Sequence, residues 1–576
     1  MAKNTVRLLK VSFICSAWVV SQGAFANQQN GLASGGMQPL PVEQKREPQK
    51  EEPAISSDKT IPISPVSAID ENRKKLQTWL PQQVKPIFFD RLVTLYSDNK
   101  MKPLWSDKQA IKEFEDQLFE ISLAGFQPQF EKWLIQLHSS ELSDMARDVI
   151  LSDAMLGYLH FINQVDKKGR SWLYSQSPYK IELPPSHIID TWQQHINNND
   201  DFSYVTRLSP SHSGYKNMRK EMWDQLADKE PWAEFSFKGT LRPGQSNEAV
   251  MTLRKILVRS GVLEPSAVKA DNKGYGKELT AAVKRFQTLH GLSADGVIGK
   301  STQAWLNTTP QMRARIMALN IQRLRIIPGD IPTGILVNIP DYSLFYYLDG
   351  KEVLSSKVVV GRPSRKTPIM SSELNNVVIN PPWNVPTSMT RKDIAPRAMR
   401  DPSYFRTRGY TVFSGWSNNA KVIDPSSINW SVTTPSNFPY RIRQAPGPTN
   451  SLGRFKFNMP NSEAIYLHDT PSQASFSREM RAVSSGCVRV NKAPELANML
   501  LGDAGWDKTK VNNSLKTWST KYVNIPQKIP VFLYYQTAWV DEGGKPQYRD
   551  DIYDYDINAR QHSALFSKFL VARNDL

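Results

Sequence analysis

Tyr466-Leu467-His468-Asp469-Thr470, then thirteen residues, then Ser484-Ser485-Gly486-Cys487-Val488-Arg489-Val490: this stretch holds the chemistry of the chain. His468 ends a strand-like run and is the only histidine between His290 and His562. Acyl transfer by cysteine needs a thiolate, a base to make it and a group to orient that base. With one cysteine and one histidine in this region, Cys487 as nucleophile and His468 as base is a forced pairing if a site exists. Gly486 allows the close turn that presents the sulfur and exposes backbone N–H groups to a developing oxyanion. Arg489, two residues on, suits a substrate carboxylate. Asp469 is a poor orienter, because adjacent strand side chains face opposite ways. A catalytic zinc takes three protein ligands, and no second thiol or histidine is offered here, so no metal is expected.

Cys15 and Cys487 are the two cysteines. Lys3, Arg7 and Lys10 precede an apolar run from Val11 to Val20, and Ala24-Phe25-Ala26 follows. These are the parts of a secretory signal peptide, read over residues 1–26. The run has about half the ~20 residues of a membrane span, an uncleaved anchor being the alternative. Cleavage removes Cys15 and leaves Cys487 alone. Exported cysteines normally pair, so a solitary one is an inert buried thiol, an intermolecular bridge or a nucleophile. Its flanks favour the last.

The formal charge of +17 becomes +14 without the leader, which favours an anionic partner. Nucleic acid lacks a supporting motif, whereas a carboxylate-rich wall polymer fits. At 576 residues, 40% of them apolar, several domains are expected. Residues 27–65 are Gln, Pro, Lys, Glu and Ser with few large apolar groups, a disordered linker. Residues 66–235 carry apolar residues at helical spacing, with a good helix from Ala146 to Val165, and read as a helical scaffold. Within 236–308, Leu241-Arg242-Pro243-Gly244, Phe286-Gln287, Asp295-Gly296 and Gly299 punctuate a compact unit, with Thr280 and Thr302 as candidate helix caps. That order resembles the three-helix peptidoglycan-binding domain. A connecting helix spans 309–333. From 334 to 536 short β-branched and aromatic runs separated by Asp349-Gly350 and Gly361-Arg362-Pro363 predict a mainly-β domain. An insertion over 386–450, rich in aromatics, reads as a folded cap. Residues 537–576 are a C-terminal tail. The class is multidomain α+β.

The order His-Asp-Thr, gap, Ser-Ser-Gly-Cys-Val-Arg resembles the signature of the L,D-transpeptidases of the YkuD fold. Val360-Gly361 with Thr367-Pro368, Pro381-Pro382-Trp383, and Asn450 with Leu452-Gly453 support it. With scaffold and wall-binding unit in front, the chain is similar to the large YcbB-type periplasmic branch. Many members have His where Ser485 stands. The resemblance implies a thioester on Cys487, release of D-alanine from a tetrapeptide stem, and a 3–3 cross-link. It also implies acylation by carbapenems, no cofactor, and peptidoglycan stems and glycan strands as partners, with other wall synthases possible. Family analogy assigns the Tyr466 backbone carbonyl to orient His468, and Ser484, Ser485, Trp383 and Arg489 to substrate. An L,D-carboxypeptidase or cross-link hydrolase, or a non-catalytic wall-binding scaffold, are the alternatives.

Overall fold

The computed structural model describes residues 65–560 except 269–271 and 402. The leader and nearly all of the 27–65 linker lie outside the described residues. Residue 65 opens the first helix, Pro65–Trp79.

The helical region is organised by the helix Asp144–Trp172, which runs further at both ends than the apolar pattern predicts; Ser143 caps its start, accepting from the Ala146 N–H. Two acids buried on this helix serve as anchors. Asp148 accepts from Leu104 N, Trp105 N and Tyr96 Oη, and Asp153 from Ile87 N, Phe88 N and Trp133 Nε1. Each satisfies loop donors that would otherwise be stranded in the core.

The second unit has helices Ala249–Arg259, Lys277–Leu289 and Lys300–Leu306. Gln287 ties its turn, donating to Asp295 and Val297 O and accepting from Gly296 N. Gly296 has φ +76°, a glycine conformation. Thr280 and Thr302 do not cap: both lie inside their helices, whose N-caps are Gly276 and Gly299. The expected connecting helix is Pro310–Arg323 and is buried along nearly its whole length.

The β region forms strands β1 (Gly334–Asn338), β2 (Ser343–Leu348), β3 (Lys351–Gly361) and β4 (Met370–Ile379). The cap follows with β5 (Trp383–Asn384), β6 (Tyr410–Phe413), β7 (Val422–Ile423) and β8 (Arg441–Gln444). The chain then returns through β9 (Phe455–Asn458), β10 (Leu467–His468), β11 (Ala482–Ser484), β12 (Val488–Val490) and β13 (Lys521–Tyr534). The main sheet runs β11-β3-β12-β10-β9-β4-β13-β1-β2, and β2 also pairs with β3, so it closes on itself. The cap strands make a separate sheet, β5-β8-β6-β7. The cap has its own apolar core, including Trp383, Phe405, Val412, Phe438 and Ile442, and Tyr466 packs against both this core and that of the barrel.

The segment expected to be a tail is folded as far as residue 560. Residues 538–540 pair with 546–548, and Tyr553, Asp556 and Ala559 are buried. The short strands and scattered aromatics gave no long periodic run, which is why the sequence pattern missed them. Asp556 meets Arg323 of the buried helix at 2.7 Å, both side chains being fully buried. Removing one member of such a pair leaves an uncompensated buried charge. Asp556→Ala is therefore expected to lower unfolding free energy by about 3–5 kcal/mol, read from urea unfolding.

Candidate active site

β10 lies between β9 and β12, with His468 opposite Lys456 on one side and Arg489 on the other. Side chains alternate along a strand. Leu467, Val488 and Phe457 therefore enter the barrel core, all fully buried. Tyr466, His468, Lys456, Cys487 and Arg489 are left on the opposite face. Strand register alone thus assembles the five groups.

Cys487 sits on the turn between β11 and β12. Gly486 has φ +122°, which a side chain would strain. Ser484 Oγ accepts from Gly486 N at 3.1 Å and donates to Cys487 O at 2.7 Å. Thr367 Oγ1, fully buried, donates to Gly486 O at 2.7 Å and accepts from Gly361 N at 2.8 Å. Tyr553 Oη donates to Gly361 O at 2.6 Å and accepts from Thr367 N at 3.0 Å. The loop is held by hydroxyls that each satisfy two backbone groups.

His468 Nδ1 lies 2.5 Å from Asp469 O. A carbonyl only accepts, so Nδ1 carries the proton and Nε2 is left as a base. Burial, with Arg489 and Lys456 adding to it, pushes the imidazole pKa down to about 3 against the pull of that carbonyl. The ring is neutral at any pH near 7.

Burial pushes the Cys487 thiol up as well. Opposing it, the backbone and hydroxyl of Tyr466 and the positive charges of Lys456 and Arg489 favour the thiolate, while the thiol itself lies 3.9 Å from Ala464 O. Burial and the neighbouring sulfur push the Tyr466 hydroxyl up, with Trp383 pulling the other way. The Lys456 ammonium lies 4.2 Å from the centre of the Tyr466 ring, whose centroid is 5.7 Å from that of His468.

Several expected roles change. The Tyr466 carbonyl does not orient His468, because it accepts Val488 N at 3.2 Å in strand pairing; Asp469 O takes that place. The Asp469 carboxylate turns away and accepts Arg454 N. The Gly486 N–H is engaged by Ser484 and is not free for an oxyanion. Ser484 is buried and internal to the turn, and Trp383 belongs to the cap core. Ser485 Oγ accepts from Arg365 at 3.1 Å, and Arg365 is ion-paired with Asp393 of the cap, so the Cys487 turn is fastened to the cap. Arg489 remains available, its Nε having no hydrogen-bond partner among the described residues. The Tyr466 side chain and Lys456 were missed; the two-residue alternation from His468 back to Tyr466 was a usable signal. Thr367, Tyr553 and Asp393 come from distant loops, and nothing local marks them. Among the described residues no group of three or more His, Cys, Asp or Glu is placed to hold a metal.

Comparison with known proteins agrees with this geometry. Residues 332–512 match the L,D-transpeptidase catalytic domain (YkuD), 90–222 the Scaffold domain and 246–306 a family described as "Putative peptidoglycan binding domain". A Haemophilus influenzae protein described as "Putative L,D-transpeptidase" is 34% identical over 475 residues, 82% of this chain and 79% of its own. The chain belongs to the L,D-transpeptidase family with a YkuD catalytic domain. Among solved structures, an L,D-transpeptidase fragment from Xylanimonas cellulosilytica aligns at 16% identity and TM-score 0.16, covering 53% of this chain and all of its own. One from Mycobacterium smegmatis aligns at 11% and 0.16, over 35% and 59%. Those scores are too low to argue from.

Tyr466→Phe removes the hydroxyl that favours the thiolate and keeps the ring. The thiol pKa should then rise further, since the charged form loses a stabilising interaction. The pH midpoint of iodoacetamide alkylation is expected to move up by about one unit, with Tm little changed.

Proposed function

We propose that this chain is an exported, periplasmic enzyme that makes 3–3 cross-links in peptidoglycan through a thioester on Cys487. The observation that carries the reading is the sulfur on one strand face with Tyr466, Lys456, Arg489 and a neutral His468. His468 Nε2 takes the thiol proton as sulfur attacks the carbonyl of the third, L-configured residue of a tetrapeptide stem. The oxyanion is stabilised by the N–H of Cys487 itself and by the positive groups on that face. Collapse breaks the amide bond, and the imidazolium returns its proton to the departing D-alanine amine. The side-chain amine of meso-diaminopimelate on another stem then attacks the thioester. His468 accepts that amine's proton, and the thiolate leaves and is reprotonated.

The thioester must meet an amine before water. The cap, fastened to the nucleophile turn through Asp393 and Arg365 and packed against Tyr466, is the element that shields it. Strained β-lactams of the carbapenem type are expected to acylate the same sulfur. Other wall synthases remain candidate partners.

Incubation with purified disaccharide-tetrapeptide and mass analysis of products tests the reading. Wild type should release D-alanine and form 3–3 dimer. Cys487→Ala should fold and form none; a variant that still cross-links contradicts the proposal. Tripeptide as the main product would favour the hydrolase. Asp393→Asn, which loosens the cap, should shift products from dimer towards tripeptide by several-fold, and an unchanged ratio removes the shielding role.

A further inference from the structure

A second groove, of about 640 Å³, lies on the outer face of the β2–β3 hairpin. Its floor is set by register, with Ser343 opposite Lys357 and Phe345 opposite Ser355. Arg481 and Lys492 also line it. Lys357 and Lys492 are exposed, and neither is in an ion pair among the described residues. The Arg481 guanidinium lies over the Tyr342 ring at 4.9 Å, and its Nε has no hydrogen-bond partner among the described residues, as is true of Ser343 Oγ. Asp341 is the one acid on the lining and is committed to Arg549. The groove therefore presents three cations, a half-exposed aromatic ring and hydroxyls, with its acid neutralised.

Its position adds direction. Arg549 donates to Leu289 O at 3.2 Å, and Glu479 accepts Ser293 N at 3.4 Å, so the wall-binding unit abuts this side of the barrel. Arg481 O accepts Val360 N at 3.0 Å, and the next residue begins β11, the strand that leads into the nucleophile turn. The groove thus lies between the wall-binding unit and the strand that carries the catalytic loop.

We propose that this groove is a docking subsite for a second peptidoglycan stem, one that is held but does not react. Such a stem offers several carboxylates to Lys357, Lys492 and Arg481, and methyl and methylene groups to Phe345. The role is preference for polymer bearing many stems over a lone stem, and it rests on peptidoglycan being the substrate. Unpaired cations on a groove wall attract a multiply charged ligand in a salt-dependent way.

The test is the double variant Lys357→Glu/Lys492→Glu, made in the full chain, with Tm checked. Turnover is compared on disaccharide-tetrapeptide and on glycan chains bearing many uncross-linked tetrapeptides. The expected result is unchanged kcat/KM on the single-stem substrate and a loss of about tenfold on the chains, carried by KM. Added salt should erode the wild-type preference for chains and leave the variant's weak preference flat. Equal turnover of both substrates by variant and wild type overturns the proposal, as does an equal loss on both. A second readout separates this from failure of the catalytic reading. Binding of fluorescent multi-stem chains to Cys487→Ala, with and without the double substitution, needs no chemistry. Retained affinity in the charge-reversed protein rejects the subsite even if no cross-linking is ever seen.

Discussion

The buried pair of Arg323 and Asp556 is the constraint on which the rest of the molecule leans. Burial works against the Arg323 charge, and Asp556, Tyr174 and Asp551 together more than offset it, leaving the guanidinium above its ordinary pKa. Arg323 also donates to Leu173 O of the helical region and to Tyr555 O, and its guanidinium lies 4.4 Å from the centre of the Tyr174 ring. Asp556 accepts from Thr537 just after β13. One interior ion pair thus joins the scaffold, the buried helix and the C-terminal segment. That segment then presents Tyr553, which braces Gly361 and Thr367, and Thr367 holds the Gly486 carbonyl. A continuous path of buried polar contacts runs from the centre of the fold to the residue before Cys487. Networks of this kind are stable only when every member is satisfied.

The chemistry of the site follows from the balance between burial and donors. Burial raises the thiol and lowers the imidazole, so the resting pair is neutral. The thiolate is nonetheless prepared for by Tyr466, Lys456 and Arg489. A neutral thiol is less prone to adventitious oxidation than a thiolate, and the proposed mechanism has it deprotonated only when substrate arrives beside a competent base. Because Tyr466 packs against both the cap core and the barrel core, the position of the cap and the environment of the sulfur are linked.

Much of this was legible in the sequence. The α+β class, the punctuated wall-binding unit and the strand face that carries both His468 and Cys487 depend on local patterns: apolar spacing, turn glycines and a short motif. What was not legible depends on contacts far apart in the chain. Tyr553 reaches Gly361 across 192 positions, and Arg323 reaches Tyr555 O across 232. The orienting carbonyl was misassigned by three residues, since sequence does not say which carbonyls the β10–β12 pairing consumes. Ser484 and Trp383 are polar or amphipathic residues beside a site, and only burial separates those that touch substrate from those that hold the machinery.

The central claim is that Cys487 carries the acyl group. The direct measurement is intact-protein mass spectrometry of enzyme quenched in acid during turnover of disaccharide-tetrapeptide, followed by peptide mapping. The account predicts a mass increase equal to the substrate less D-alanine, on the peptide containing Cys487, that disappears when an acceptor amine is supplied in excess. Turnover with the adduct on another residue, or turnover that persists in Cys487→Ala with no adduct, would contradict it.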